Sequence, residues 1–104
     1  MSTFDDRERA YENKFARDAE LQFKAEARRN RLLGEWAAGL MGLEGDEARA
    51  YAITVVEADF EEAGDEDVYR KLARDLDGKA DEATIRAKMS ELRETARRQV
   101  SDEA

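Results

Sequence analysis

The chain of 104 residues contains no cysteine, no histidine and no proline. Without cysteine it has neither disulfides nor thiolate metal ligands, and without histidine it lacks the commonest metal ligand and the usual neutral-pH switch. No apolar run approaches the roughly 18 residues that a membrane span needs, and the N-terminus lacks the layout of a signal peptide. We therefore expect a cytoplasmic protein that does not insert into a membrane.

Motifs for catalysis are missing as well. Serine and threonine side chains have no histidine to act as a base, and neither the GxxxxGK[ST] nor the GxGxxG phosphate-binding pattern occurs. These absences predict that the protein is not an enzyme and holds no cofactor. The formal net charge of −8 argues against nucleic acid or anionic lipid as a partner.

Charged side chains are abundant, at 42% of the chain, whereas apolar residues make up 41%. Typical globular proteins have about 25% charged and about 45–50% apolar residues, so we expect a thin core and many solvated helix faces. The charge is also uneven, because residues 1–31 carry a net +1 and residues 32–104 a net −9. Two parts with different electrostatics suggest two tasks.

Apolar residues recur at helical spacing in four segments, and nothing alternates with period two over a useful length. The spacing predicts helices over about 1–43, 46–63, 65–77 and 81–101, separated by glycines. Apolar density in the first segment rises only after Leu21, so the ordered part should begin near that residue. The fold class predicted is all-α, a four-helix bundle-like domain with a long first helix and a mobile N-terminal arm. We place the arm at residues 1–18 and the four-helix domain at residues 19–104.

Several details follow from residue types. Gly64 should end the second helix, and Asp65 should cap the third. Trp36 is expected at the centre of the core.

The arm carries an aromatic stripe of Phe4, Tyr11 and Phe15, which fall within about 40° of one another on a helical wheel. The stripe is too sparse to fold by itself, because isolated helices are marginal. One interpretation is self-burial, either against the domain or against a second copy. The other is a partner protein, which the length of the first helix favours.

Two charge clusters allow both a functional and a structural interpretation. The run Lys24, Arg28, Arg29 and Arg31 could meet nucleic acid or an acidic partner, or could balance Glu20 and Glu26 on a solvated face. A second cluster could hold a hard cation, or could cap the third helix and face solvent. Its members are Asp59, Glu61, Glu62, Asp65, Glu66 and Asp67. We favour the structural interpretation of the second cluster, and therefore expect no metal site.

The chain also resembles a known family through a set of fixed landmarks. They are Phe4-Asp-Asp-Arg-Glu-Arg-Ala10, Lys14-Phe15-Ala16, Phe23-Lys24, Ala27-Arg28-Arg29-Asn30, Leu32-Leu33-Gly34, Trp36-Ala37-Ala38, Gly42-Leu43, Val55-Val56 and Ala58 to Asp65. Together these landmarks closely resemble the ATPase inhibitor subunit zeta of alphaproteobacterial F-type ATP synthases. The likeness covers residues 3 to about 77.

The resemblance implies an inhibitor of ATP hydrolysis whose N-terminal helix enters a catalytic interface of the enzyme's soluble head and contacts the central rotor. A wedged helix would block rotation in the hydrolysis direction. On this basis Phe4, Tyr11 and Phe15 are the expected hydrophobic anchors. The expected partners for carboxylates on the enzyme are Arg7, Arg9, Lys14 and Arg17.

We expect a monomer when free, and a peripheral position on the inner face of the bacterial membrane when bound to the synthase. The alternative is a self-associating helical adaptor with no enzyme target. Since histidine is absent, any control by pH near neutrality would need a carboxyl group with a strongly shifted pKa.

Overall fold

The architecture comes from a computed structural model, which describes residues 18–59 and 65–103. Within these residues the chain forms four helices and no strand: α1 (Ala19–Leu40), α2 (Gly45–Ala58), α3 (Glu66–Asp75) and α4 (Glu82–Glu103). The predicted all-α, bundle-like fold class is thereby confirmed. None of these helices is long and apolar enough to cross a membrane.

The helix α1 lies at the centre, with α2 and α4 packed along it. The main core contains buried residues from all four helices. They include Leu33, Ala37, Val55, Val68, Leu72, Leu76, Ile85 and Met89. The predicted stripes on the third and fourth helices therefore do face the interior, with Val68, Leu72 and Leu76 each at 0% exposure.

A glycine ends α1 at Leu40, three residues before the predicted boundary. Gly42 has φ of +77°, a left-handed conformation that glycine adopts without steric cost. The amide of Leu43 donates to the carbonyl of Ala38 at 2.9 Å, and the amide of Gly42 donates to the carbonyl of Gly39 at 3.2 Å. This pair of bonds is a Schellman motif, which satisfies carbonyls that the helix end leaves unpaired.

The second helix differs from the prediction. It begins at Gly45 with Glu44 in the N-cap position, and it ends at Ala58 rather than near residue 63. The predicted terminator Gly64 lies outside the described residues. The early end places Asp59 beyond the helix, where its carboxylate lies 4.0 Å from the guanidinium of Arg29.

Trp36 is only partly buried, at the edge of the main core, so its predicted central position is wrong. The centre is filled by smaller side chains, with Leu33 and Ala37 both at 0% exposure. The indole ring instead faces the edge, where the ammonium of Lys88 lies 6.0 Å from the ring centroid.

The close packing of α1 on α2 depends on Gly34. A Cβ atom added at Gly34 would lie 2.4 Å from the Cα of Ala52, a distance that backbone atoms cannot accommodate without movement of a helix. Gly39, one turn further along α1, has nothing within 4 Å of the corresponding position. A larger side chain is therefore excluded at Gly34 unless a helix moves, whereas Gly39 has room for one.

We predict that Gly34→Ala lowers the free energy of unfolding by about 1–3 kcal/mol, because the added methyl group overpacks the α1–α2 contact. The matched change Gly39→Ala should raise the free energy of unfolding by about 0.5–1 kcal/mol, since alanine favours helix and meets no neighbour. Urea denaturation measures both values. Equal effects of the same sign would contradict the close approach.

Candidate functional site

The partner-binding residues predicted from the sequence lie outside the described residues. They are Phe4, Arg7, Arg9, Tyr11, Lys14, Phe15 and Arg17. The structure does describe the helix that follows them in the chain. We call residues 18–30, which comprise Asp18 and the first half of α1, the stem.

The stem begins at a well-formed helix cap. Asp18 has an extended backbone conformation, and its Oδ1 accepts hydrogen bonds from the amides of Glu20 at 3.0 Å and Leu21 at 3.2 Å. An aspartate in this position accepts hydrogen bonds from amides that have no partner within the helix, and its negative charge interacts favourably with the positive end of the helix dipole. The start of α1 at Ala19 lies within two residues of the start expected near Leu21.

A small apolar cluster joins the stem to the end of α4. Leu21, Ala25 and Val100 are buried together, apart from the main core. Because the start of α1 meets the end of α4, the two helices run antiparallel. The cluster gives the stem a packed face of its own.

A bidentate ion pair reinforces this contact. Arg28 donates from Nη2 to both carboxylate oxygens of Glu103, at 2.7 and 2.8 Å, and from Nη1 to Oε1 of Gln99 at 2.8 Å. Hydrogen bonds between ionised groups are stronger than those between neutral groups. Arg28 therefore links α1 to the last turn of α4, a contact within the chain that neither interpretation of the basic run included.

Arg29 is buried, at 1% exposure, which the sequence did not predict. Its Nε and Nη2 donate to Oδ1 of Asn30 at 3.1 and 2.8 Å, and its Nη1 donates to Oδ1 of Asp65 at 2.8 Å. The other carboxylate oxygen of Asp65 accepts a hydrogen bond from Arg93 of α4. One buried cation thus connects α1, the start of α3 and, through Asp65, α4.

The remaining basic residues of the run behave as expected for a solvated face. Lys24 pairs with Glu20 at 3.3 Å, and Arg31 pairs with Glu35 at 3.7 Å, both at i,i+4 spacing. Such exposed pairs contribute little to stability.

Three carboxylates converge on the buried guanidinium. Oxygen atoms of Glu26, Asp59 and Asp65 all lie within 4.8 Å of one another. Two of these residues come from the acidic cluster noted in the sequence, whereas Glu26 comes from the stem. The other described members of that cluster pair elsewhere, Glu66 with Arg86 and Asp67 with Arg70.

Asp65 occupies the N-cap position of α3, as predicted, but its side chain makes no capping hydrogen bond. Its two oxygens accept from Arg29 and Arg93 instead. Burial alone would raise the pKa of the Asp65 carboxyl, but the hydrogen bonds and charges of the two arginines hold the pKa below its usual value. Asp65 therefore stays ionised as the counter-ion of Arg29.

Glu26 is shifted in the opposite direction. Partial burial of its carboxyl raises the pKa, and the neighbouring Asp59 raises it further, against an opposing effect of Arg29. A trio of carboxylates could in principle hold a hard cation. Here a guanidinium supplies positive charge at the same point, so we assign the cluster to arginine binding.

Beside this cluster a cleft of about 300 Å³ opens between the stem and α4. Its lining is mixed in charge and contains Gln22, Ala25, Glu26, Arg29, Arg93 and Arg97. The cleft exposes the edge of the buried cluster to solvent, so protons and water reach Glu26.

A signal for the burial of Arg29 was present in the sequence. Leu21, Ala25, Leu33 and Ala37 are spaced by four along one side of a helix, and Arg29 occupies the middle of that row. A charged residue inside an apolar row at helical spacing indicates a buried, paired side chain more often than a solvated one.

We predict that Arg29→Ala lowers the free energy of unfolding by about 1–3 kcal/mol, because the change leaves the buried Oδ1 of Asn30 without a donor and Asp65 with Arg93 as its remaining partner. Arg31→Ala, a change of the same type in the same helix, should cost less than about 0.5 kcal/mol. Urea denaturation at neutral pH measures both. A small effect of Arg29→Ala would show that the cluster contributes little to stability.

The described residues thus define a small all-α protein whose first helix is tied to the other helices by an apolar cluster and by ion pairs. The family model for ATPase inhibitor subunit zeta matches residues 1–99. The chain therefore belongs to the ATPase inhibitor subunit zeta family. This confirms the resemblance seen in the landmarks of the sequence.

A solved structure, determined by solution NMR, is similar to the chain throughout most of its length. The two are 60% identical, with a TM-score of 0.75, and the match covers 81% of this chain and 99% of the other. A search of the curated proteins found no match. The helical architecture described above is thus also that of a relative with a solved structure.

Proposed function

We propose that this protein inhibits ATP hydrolysis by an F-type ATP synthase, and that residues 1–18 do so as a helix inserted into a catalytic interface of the enzyme's head. The inserted helix would contact the central rotor and block its rotation in the hydrolysis direction. The family match carries the proposal, because the family is one of ATPase inhibitor subunits and its model extends across residues 1–99. An inhibitor subunit of this kind implies an ATP synthase as partner and a regulatory rather than a catalytic role.

The architecture of the stem supports a mechanical form of inhibition. A helix that stops a rotor must transmit force to a body that does not yield. The stem is attached to α4 by the apolar cluster and by Arg28, and to the start of α3 by Arg29. Force on the N-terminal segment would therefore act on several helices together.

The chemistry of residues 1–18 fits the proposed interface. Phe4, Tyr11 and Phe15 offer apolar anchors, while Arg7, Arg9, Lys14 and Arg17 offer charges for carboxylates. Aromatic residues and arginine are the types that dominate binding energy at protein interfaces. If the segment orders on binding, its burial must also offset the entropy lost in ordering.

We further propose that the free protein is a monomer, and that it lies at the inner face of the bacterial membrane only when bound to the synthase. Self-association through the aromatic stripe remains the rival. Sedimentation at micromolar concentration distinguishes the two, because the rival requires a dimer in the absence of any enzyme.

Removal of residues 1–18 should abolish inhibition of the matching purified ATPase, whereas the full chain should inhibit it. The reason is that the truncation removes every proposed anchor but leaves the helices that pack around α1. Circular dichroism provides the control, since the truncated protein should retain its helical signal. Equal inhibition by the two proteins would rule out the N-terminal mechanism.

A single substitution gives a finer test in the full chain. Phe15→Ala should weaken inhibition about tenfold, the loss expected of an interface anchor, and should change the free energy of unfolding by less than about 1 kcal/mol. Ile53, which is 56% exposed on α2, provides a matched control because Ile53→Ala also removes an exposed apolar side chain. Inhibition should be unchanged by the control. A large loss of stability in Phe15→Ala would identify Phe15 as part of the folded core.

A further inference from the structure

The carboxylate cluster at the stem contains more negative charge than its cations neutralise by direct contact. Asp65 accepts hydrogen bonds from both Arg29 and Arg93. The other donors of Arg29 are directed at Oδ1 of Asn30, at 3.1 and 2.8 Å. The distance from Arg29 to Asp59 is 4.0 Å, beyond the range of a hydrogen bond.

Asp59 is therefore less well compensated than Asp65. Its side chain is only 14% exposed, so water solvates it poorly. Its neighbour is Glu26, whose side chain is exposed to solvent but has an oxygen inside the same 4.8 Å group. Two ionised carboxylates at this separation repel each other, and protonation of one removes the repulsion.

We propose that the Glu26 carboxyl binds a proton beside the carboxylate of Asp59 when the stem is docked, so that pH controls how firmly the stem is held. The proton comes from solvent through the cleft beside Glu26 and returns to solvent when Glu26 ionises. With the proton bound, the two carboxyl groups attract each other across the junction between α1 and the end of α2. Without it they repel, and the first half of α1 loosens.

All helices around Glu26 contribute charged groups to this balance. Those that face it are Arg29 from α1, Asp59 after α2, Asp65 before α3, and Arg93 and Arg97 from α4. The arginines favour ionised carboxylates, but Asp65 takes the hydrogen bonds of Arg29 and Arg93 described above. The net effect at Glu26 is a raised pKa, caused first by partial burial and next by Asp59.

The direction of the pH dependence follows from this shift. Because the pKa of Glu26 is higher in the folded protein than in the unfolded chain, the stabilisation is complete below the unfolded value. It is lost as the pH rises through the folded value. Asp65 acts in the opposite sense, since its lowered pKa makes its contribution disappear only as the pH falls through that lowered value. The two effects therefore occupy separate pH ranges.

A looser stem would support the N-terminal segment less rigidly. Acidification keeps the stem docked, so it would favour inhibition if the proposed function holds. This effect on inhibition rests on the proposed function, whereas protonation of Glu26 does not. The test is therefore made on the isolated full-length protein, where a failure concerns the proton alone.

NMR titration of the Glu26 side-chain carboxyl carbon tests the proton on Glu26 directly. Its midpoint should lie above that of the same residue in an unstructured peptide of residues 21–30. Asp59→Asn should move the midpoint back toward the peptide value, because the like charge is removed. A midpoint at or below the peptide value in the wild-type protein would overturn the proposal.

Hydrogen exchange tests the effect on the stem. Protection factors of amides in residues 21–30 should be lower above the midpoint of the Glu26 titration than below it in the wild-type protein. Glu26→Gln, which mimics the protonated carboxyl, should keep high protection on both sides of that midpoint. Glu20→Gln, an exposed change on the same helix, should retain the wild-type dependence. Identical pH dependence in Glu26→Gln and wild type would overturn the proposal.

Discussion

The buried guanidinium of Arg29 is the constraint on which the arrangement of the helices depends. A charge withdrawn from water is tolerated only when hydrogen bonds and opposite charges surround it. Its partners come from Asn30 in the same helix and from Asp65 before α3, with Asp59 nearby. To place both aspartates there, α2 must end at Ala58 and α3 must begin without a side-chain cap. One cation thereby fixes the ends of two helices.

A thin core accompanies this polar junction. Several of the fully buried positions are alanines, and α1 approaches α2 so closely that only glycine fits opposite Ala52. Small side chains allow short distances between helices, so that many atoms of the two helices come into van der Waals contact although the chain has few large apolar residues. The protein therefore combines close apolar packing at the centre with ion pairs that link the stem to the end of α4.

Patterns of local origin predicted the fold well. Glycines at the ends of α1 and α3 and the apolar stripe of α4 depend on neighbouring residues, so the sequence alone defines them. The apolar row around Arg29 carried a local signal of its burial. Its pairing with Asp65 and the bridge from Arg28 to Glu103 join residues far apart in the chain, and in a sequence with 42% charged residues local spacing does not reveal such partners. The prediction of a central Trp36 was wrong for a related reason, because close contact between helices at small residues leaves a large ring at the edge of the core.

The family was found from short sequence landmarks, whereas the partner-binding residues remain predictions.

The cap at Asp18 has a consequence for any change in the length of α1. Its carboxylate already occupies the amides of Glu20 and Leu21, so the helix has a stable end at this point. If upstream residues continued the helix, their carbonyls would take those amides and the carboxylate would lose both bonds. The loss of such a cap costs about 1 kcal/mol. Asp18 thus opposes elongation of α1 toward the N-terminus. A partner that extends the helix must supply the free energy of the lost cap, whereas without a partner the helix keeps its end at Asp18.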